Sequence, residues 1–115
     1  MSSSRAADNI EITVAELAAR LAAGEPLPLL DVREAWEFDY CRLAGARLLP
    51  MAQIPMHLAE FATHPEVEFI CYCHTGNRSL IAADWMRRAG IPCARSLAGG
   101  IEQWARDIDP TVPRY

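Results

Sequence analysis

One short stretch, Cys71-Tyr72-Cys73-His74-Thr75-Gly76-Asn77-Arg78-Ser79, constrains this chain more than any other. Val67-Glu68-Phe69-Ile70 before it reads as a buried strand, and Leu80 to Ala89 after it reads as a helix. A thiol therefore sits where a strand gives way to a helix start. Backbone N–H groups there lack intrahelical partners and the helix dipole is positive. Such an end stabilises a thiolate and an anionic ligand beside it. Cys73 is thus the candidate nucleophile, and the residues from His74 to Ser79 are its candidate anion cradle.

The rest of the chain alternates short apolar strands with helical segments. Ile10-Glu11-Ile12 reads as a short strand, and Thr13-Val14-Ala15-Glu16 carries the pattern of a capping box. Val14, Leu17, Ala18 and Leu21 recur at helical spacing, and Gly24 is a natural stop. Leu29 to Arg33 reads as a buried strand with a polar end, and Glu34 to Tyr40 as a helical turn. A short strand closed by Pro50 follows Gly45-Ala46, then a helix from Ile54 to Phe61. In the helix after the thiol, Leu80, Ala83 and Met86 line one side. Ile81 and Trp85 lie round from them, which predicts contacts on more than one side. Pro92 begins a last strand through Leu97, and Gly99-Gly100 opens a last helix bearing Ile101, Trp104, Ala105 and Ile108. This alternation predicts an α/β fold whose mainly parallel sheet is covered on both faces. Ligands gather at the carboxyl ends of the strands in such sheets, where Cys73 lies.

The chain has 115 residues, 51% of them hydrophobic, which suits one domain with a substantial core over residues 1–115. Residues 1–8 read as a loose polar tail and residues 109–115 as an extended one. A net charge of −4 and the lack of a basic cluster with interleaved aromatics argue against nucleic acid and membrane surfaces as partners. With no secretory leader pattern and few cysteines, a reducing cytoplasm with free thiols is expected. Cys41 reads as a spare thiol, Cys71 as a small buried hydrophobe and Cys93 as packing. Cys71-Tyr72-Cys73-His74 lacks a second ligand pair, so no metal is expected. Trp36, Trp85 and Trp104 read as core or edge packing.

Taken in order, several segments resemble the rhodanese family of sulfurtransferases. Leu29-Leu30-Asp31-Val32-Arg33-Glu34 is similar to the family's first strand and Asp-x-Arg signature. Trp36-Glu37-Phe38 and Gly45-Ala46 fit the following segment, and Tyr72 to Ser79 fits the active-site loop. Leu97-Ala98-Gly99-Gly100-Ile101-Glu102-Gln103-Trp104 resembles the closing Gly-Gly helix, and Asp109 to Tyr115 the tail of compact members. One departure is that Cys41-Arg42 stand where the family often has Gly-His.

The resemblance implies a rhodanese-like three-layer fold with a sheet of about five strands. It also implies a double displacement. The Cys73 thiolate takes the outer sulfur of thiosulfate or another donor, carries it as a persulfide, and yields it to cyanide or a thiol. Small anionic donors and a protein donor or acceptor are the expected partners. No cofactor beyond the covalent persulfide is implied. Arg78 either adds charge to the substrate mouth or braces the loop. His74, Thr75 and Asn77 line the loop, Gly76 lets its amides turn inward, and His74 is otherwise a solvated residue. Asp31 and Arg33 are expected to form a structural ion pair near the site. Two alternatives stand beside this reading: a non-enzymatic sulfur-carrier or partner-binding module, and a phosphatase or arsenate-reductase-like enzyme. Tyrosine and dual-specificity phosphatases use Cys-x5-Arg, whereas Cys73 to Arg78 is Cys-x4-Arg, a ring better suited to a single sulfur atom.

Overall fold

The structure, a computed structural model, describes residues 9–115. The expected tail at residues 1–8 lies outside the described residues. Strand β1 (Glu11–Ile12) leads into helix α1 (Val14–Ala22), and β2 (Leu29–Asp31) into α2 (Ala35–Tyr40). Strand β3 (Arg47–Leu48) and a 3-10 turn (Met51–Gln53) precede α3 (Ile54–Ala62). Then come β4 (Ile70–Tyr72), α4 (Asn77–Arg88), β5 (Arg95–Leu97) and α5 (Gly100–Asp107). The five strands form one parallel sheet in the order β1-β5-β4-β2-β3.

Alternation along the strands divides the core between two faces. Leu30 and Cys71, paired across β2 and β4, share one apolar cluster with Ile54, Phe61, Ala82, Ala83 and Met86 from α3 and α4. Leu29, Ile70 and Tyr72 belong to the other cluster, with Val14 and Leu17 of α1 and Ile101 of α5. Helices thus cover both faces of the sheet, giving the three-layer α/β arrangement expected. Cys73, the candidate nucleophile, follows directly on β4, a central strand, at the carboxyl end of the sheet.

Three local expectations are corrected. The central strand begins at Ile70 rather than Val67, because Val67 N–H turns back to the His64 carbonyl and the Glu68 carboxylate is held by Arg20 and Arg95. Helix α4 begins at Asn77, three residues earlier than its apolar run indicates. Gly76, at φ 109°, turns the chain there, and its carbonyl accepts from Leu80 N–H. The buried face of α4 is Ser79, Ala82, Ala83 and Met86, whereas Leu80, Ile81 and Trp85 are exposed. The helix packs on one side only. Trp36, read as core or edge packing, lies at the edge, 62% exposed on α2 and in ring contact with Tyr115.

Candidate active site

Strand β4 ends at Tyr72, whose carbonyl still accepts from Val32 N–H at 3.0 Å. The next residue, Cys73, therefore leaves the sheet at a fixed height, with its side chain buried. The loop then curls back over the sulfur. Gly76 N–H points at Sγ from 3.1 Å and Ser79 N–H from 3.3 Å. The thiol donates to Ser79 Oγ at 3.4 Å, and that hydroxyl also meets the Gly76 carbonyl and, at 2.7 Å, Ser96 Oγ on β5. Two backbone N–H groups thus converge on one sulfur atom, an arrangement suited to an anionic sulfur. Thr75 and Asn77 lie exposed on the outer side of the loop.

A second helix start supports the loop from behind. Ile101 N–H donates to the Cys73 carbonyl at 2.9 Å and Glu102 N–H to the His74 carbonyl at 3.0 Å. These are orphan donors of the first turn of α5, and the loop satisfies them. The approach is so close that a Cβ on Gly100 would fall 2.4 Å from the His74 carbonyl oxygen. Gly100 is thereby explained by contact with the loop and Gly99 by the Gln103 side chain, and both by their left-handed φ values of 62° and 80°.

The front of the loop is held by charge. Arg78 makes a two-pronged contact with Glu37 of α2, at 2.7 and 2.9 Å. Glu37 is buried, and Arg78, assisted by Tyr115 and the Glu34 amide against the cost of burial, holds its carboxyl down at about 2. The Arg78 guanidinium is correspondingly raised by that carboxylate. Tyr115 donates its hydroxyl to Glu37 at 2.6 Å and accepts from Arg33 at 2.8 Å. Burial, then the Glu37 contact, push the Tyr115 phenol up to about 12. The Tyr115 ring stacks on His74 with centroids 4.1 Å apart and meets Trp36 and Tyr40 edge-on. His74 Nε2 is buried without a hydrogen bond, 3.7 Å from Glu102 Oε1.

Arg33 and Asp31 form the expected ion pair, fully buried, at 2.8 and 2.6 Å. Tyr72 donates to the same Asp31 carboxylate at 2.8 Å and accepts from Leu43 N–H, tying β2 to β4 and to the segment after α2. Burial, with Asp31 adding to it, raises the Tyr72 phenol. All four cysteines are free. Cys71 lies on the opposite side of the strand from Tyr72, against Met86, and burial pushes its thiol up to about 12. It is a hydrophobe, as its strand position implied. Among the described residues no three His, Cys, Asp or Glu side chains come together to hold a metal ion. No helix among them is long and apolar enough to cross a membrane.

Of the residues singled out by sequence, Cys73, Gly76 and Ser79 form the inner ring, and His74 and Arg78 stand at its front. Arg78 is paired with Glu37, the contact that a loop-bracing role calls for. Glu37, Ser96 and Tyr115 were not singled out. Glu37 had a signal in its spacing from Glu34, since the two make a reciprocal cap at the start of α2. Ser96 is a small polar residue on a fully buried strand, between Arg95 and Leu97. Tyr115 had none beyond being an aromatic in a polar tail.

The family model of the rhodanese-like domain matches residues 13–107. A probable adenylyltransferase/sulfurtransferase MoeZ of Mycobacterium tuberculosis is 34% identical over 96% of this chain, which covers 28% of that protein. The chain spans well under half the length of the curated relatives it matches. Among solved structures, a rhodanese-like domain protein from Staphylococcus aureus is 28% identical with a TM-score of 0.76, covering 91% of this chain and 97% of its own. The human single-domain sulfurtransferase TSTD1 is 26% identical with a TM-score of 0.73, covering 85% of this chain and 96% of its own.

Proposed function

The chain belongs to the rhodanese-like domain family, and from that premise we propose that it is a sulfurtransferase working through a persulfide on Cys73. The Cys73 thiolate attacks the outer sulfur of a sulfane donor, thiosulfate or another. The donor's S–S bond breaks, and its remainder leaves with the bonding pair, as sulfite in the case of thiosulfate. The sulfur stays on Cys73 as a persulfide. A thiophilic acceptor, cyanide or a thiol, then attacks the outer sulfur and returns Cys73 as thiolate. The reaction is redox-neutral overall and calls for no cofactor beyond the covalent persulfide.

One observation carries this reading: the Gly76 and Ser79 amides converge on a single sulfur. The Cys73 thiolate is an anionic sulfur at the position these donors address, and fixed N–H groups lower its energy with no reorganisation during the reaction. Ser79 also links the loop to β5 through Ser96, so the donors are held by the sheet. The curated relatives named as sulfurtransferases support the same chemistry.

The test is turnover by Cys73→Ser. The variant keeps the size and packing of the side chain and lacks the thiolate. Sulfur transfer from any sulfane donor to cyanide is expected to fall to background while the melting transition stays cooperative. Retained transfer in the folded variant would remove Cys73 from the mechanism.

A further inference from the structure

The arginine that closes the loop is charge-compensated before a substrate arrives. Both of its prongs are taken by Glu37, a buried carboxylate, although Arg78 lies close enough to Cys73 to be influenced by a charge there. Arg33, the next guanidinium behind the mouth, is itself buried and paired with Asp31. Tyr115 bridges the two pairs, donating to Glu37 and accepting from Arg33. Asp31, Arg33, Glu37 and Arg78 together sum to no net charge. Farther out, Arg114 is held at 2.6 Å by Glu102, the residue beside His74 Nε2. The N–H groups of Gly76 and Ser79 are directed at Sγ, the atom to which the transferred sulfur is bonded.

Thiosulfate is a dianion whose sulfonate must leave bulk water to bring its outer sulfur onto Cys73. That desolvation is offset when an uncompensated cation meets the sulfonate. A persulfide on a thiol, R–S–SH, brings the same sulfane sulfur with at most one charge, close to the sulfur itself. Resting on the sulfurtransferase reading, we propose that Glu37 is a specificity-determining residue: by neutralising Arg78 at the mouth it directs the site to thiol-borne persulfide donors over thiosulfate. The step balances without an oxidant. The Cys73 thiolate forms a bond to the outer sulfur of R–S–SH, the R–S bond to that sulfur breaks, and R–S⁻ leaves with the electron pair. Tyr115 acts through Glu37 as a positioning residue, since its hydroxyl fixes the carboxylate between the two arginines.

The experiment compares the persulfide of N-acetylcysteine amide, which has no carboxylate, with thiosulfate as donors to the intact chain, at low and high ionic strength. The wild type is expected to show a thiosulfate KM at least about tenfold above its persulfide KM, with kcat/KM for thiosulfate nearly flat in salt, because no free charge steers the dianion. Glu37→Gln keeps the shape and leaves Arg78 uncompensated. It is expected to lower the thiosulfate KM by about fivefold, with little gain in kcat, and to make thiosulfate kcat/KM fall with salt. Glu37→Asp, which retains the charge, is expected to return most of the wild-type donor preference. The inference is overturned if wild-type kcat/KM for thiosulfate falls steeply with salt, or if Glu37→Gln shifts KM for both donors equally. The wild-type salt profile decides even where Glu37→Gln does not fold. Intact mass of the wild type separates the two levels. Loading of Cys73 by thiosulfate as readily as by persulfide overturns this inference alone, whereas loading by neither donor overturns the sulfurtransferase reading with it.

Discussion

Gly100 shows how much of the site depends on a residue that bears no functional group. Its φ of 62° and its contact with the carbonyls of Cys73 and His74 leave no space for a side chain. An alanine there meets backbone on one side and a disfavoured left-handed conformation on the other, which alone costs about 1–2 kcal/mol. Gly100→Ala is therefore expected to lower stability by at least that amount, read from urea unfolding. It should also depress sulfur transfer beyond the loss in folded fraction, because the Cys73 carbonyl is displaced with the loop. Gly24, also at positive φ but with open space where a Cβ would sit, is the control. Its alanine variant is expected to show strain without loss of transfer per folded molecule. The placement of Cys73 was legible in the sequence because it is local: a cysteine, a turn glycine and a helix start occur within a few residues. Glu37, Tyr115 and Ser96 were not, because each reaches the site through tertiary contact from a distant part of the chain.

At the scale of elements, local rules and tertiary packing divide the chain cleanly. Helix α1 begins where its capping box stands, with Glu16 N–H bonded to Thr13 Oγ1 and Thr13 N–H to Glu16 Oε1, both at 3.0 Å. Thr13→Ala is expected to cost about 1 kcal/mol of stability, seen in the denaturation midpoint, and to leave the Cys73 chemistry unchanged. The order of strands and helices was equally legible, because each apolar run is short and bounded by Gly or Pro. The boundaries of β4 and α4 were not. Val67 and Glu68 have the composition of a strand, but a turn at His64 and the arginines on Glu68 hold them off the ladder. Asn77, Arg78 and Ser79 have the composition of a loop, yet they form the first turn of α4, which aims the Ser79 amide at the sulfur. The wide apolar surface of α4 likewise read as two-sided packing, whereas the sheet takes only its small residues and Met86. Alanine and serine there permit the close approach of helix to sheet that brings Ser79 to Ser96.

For the molecule as a whole, the sheet, two helix starts and the C-terminal segment meet at one end, and the charges there are paired across elements. This arrangement makes stability depend on acid in a defined direction. The folded chain holds the Glu37 carboxyl at about 2, below its ordinary 4.5, chiefly through Arg78. The unfolded chain therefore takes up the proton first as pH falls. The stabilisation, on the order of 3 kcal/mol, is complete above about pH 4.5 and is lost progressively towards about pH 2. Urea unfolding of the wild type and Glu37→Gln is expected to show a gap at neutral pH that narrows by about pH 3. The three-layer plan was visible in the alternation of elements, but the way residues 109–115 return to the site was not. A tail carries no periodicity, and the placement of Tyr115 depends on a ring of partners from α2, β2 and the loop. The most direct test of the central claim is intact mass spectrometry of the wild type and Cys73→Ser after incubation with a sulfane donor and removal of the excess. The wild type is predicted to gain the mass of one sulfur atom, lost again on adding cyanide, with no gain in the variant. A wild type that gains nothing from thiosulfate or an alkyl persulfide, or a variant that gains as much, would contradict it.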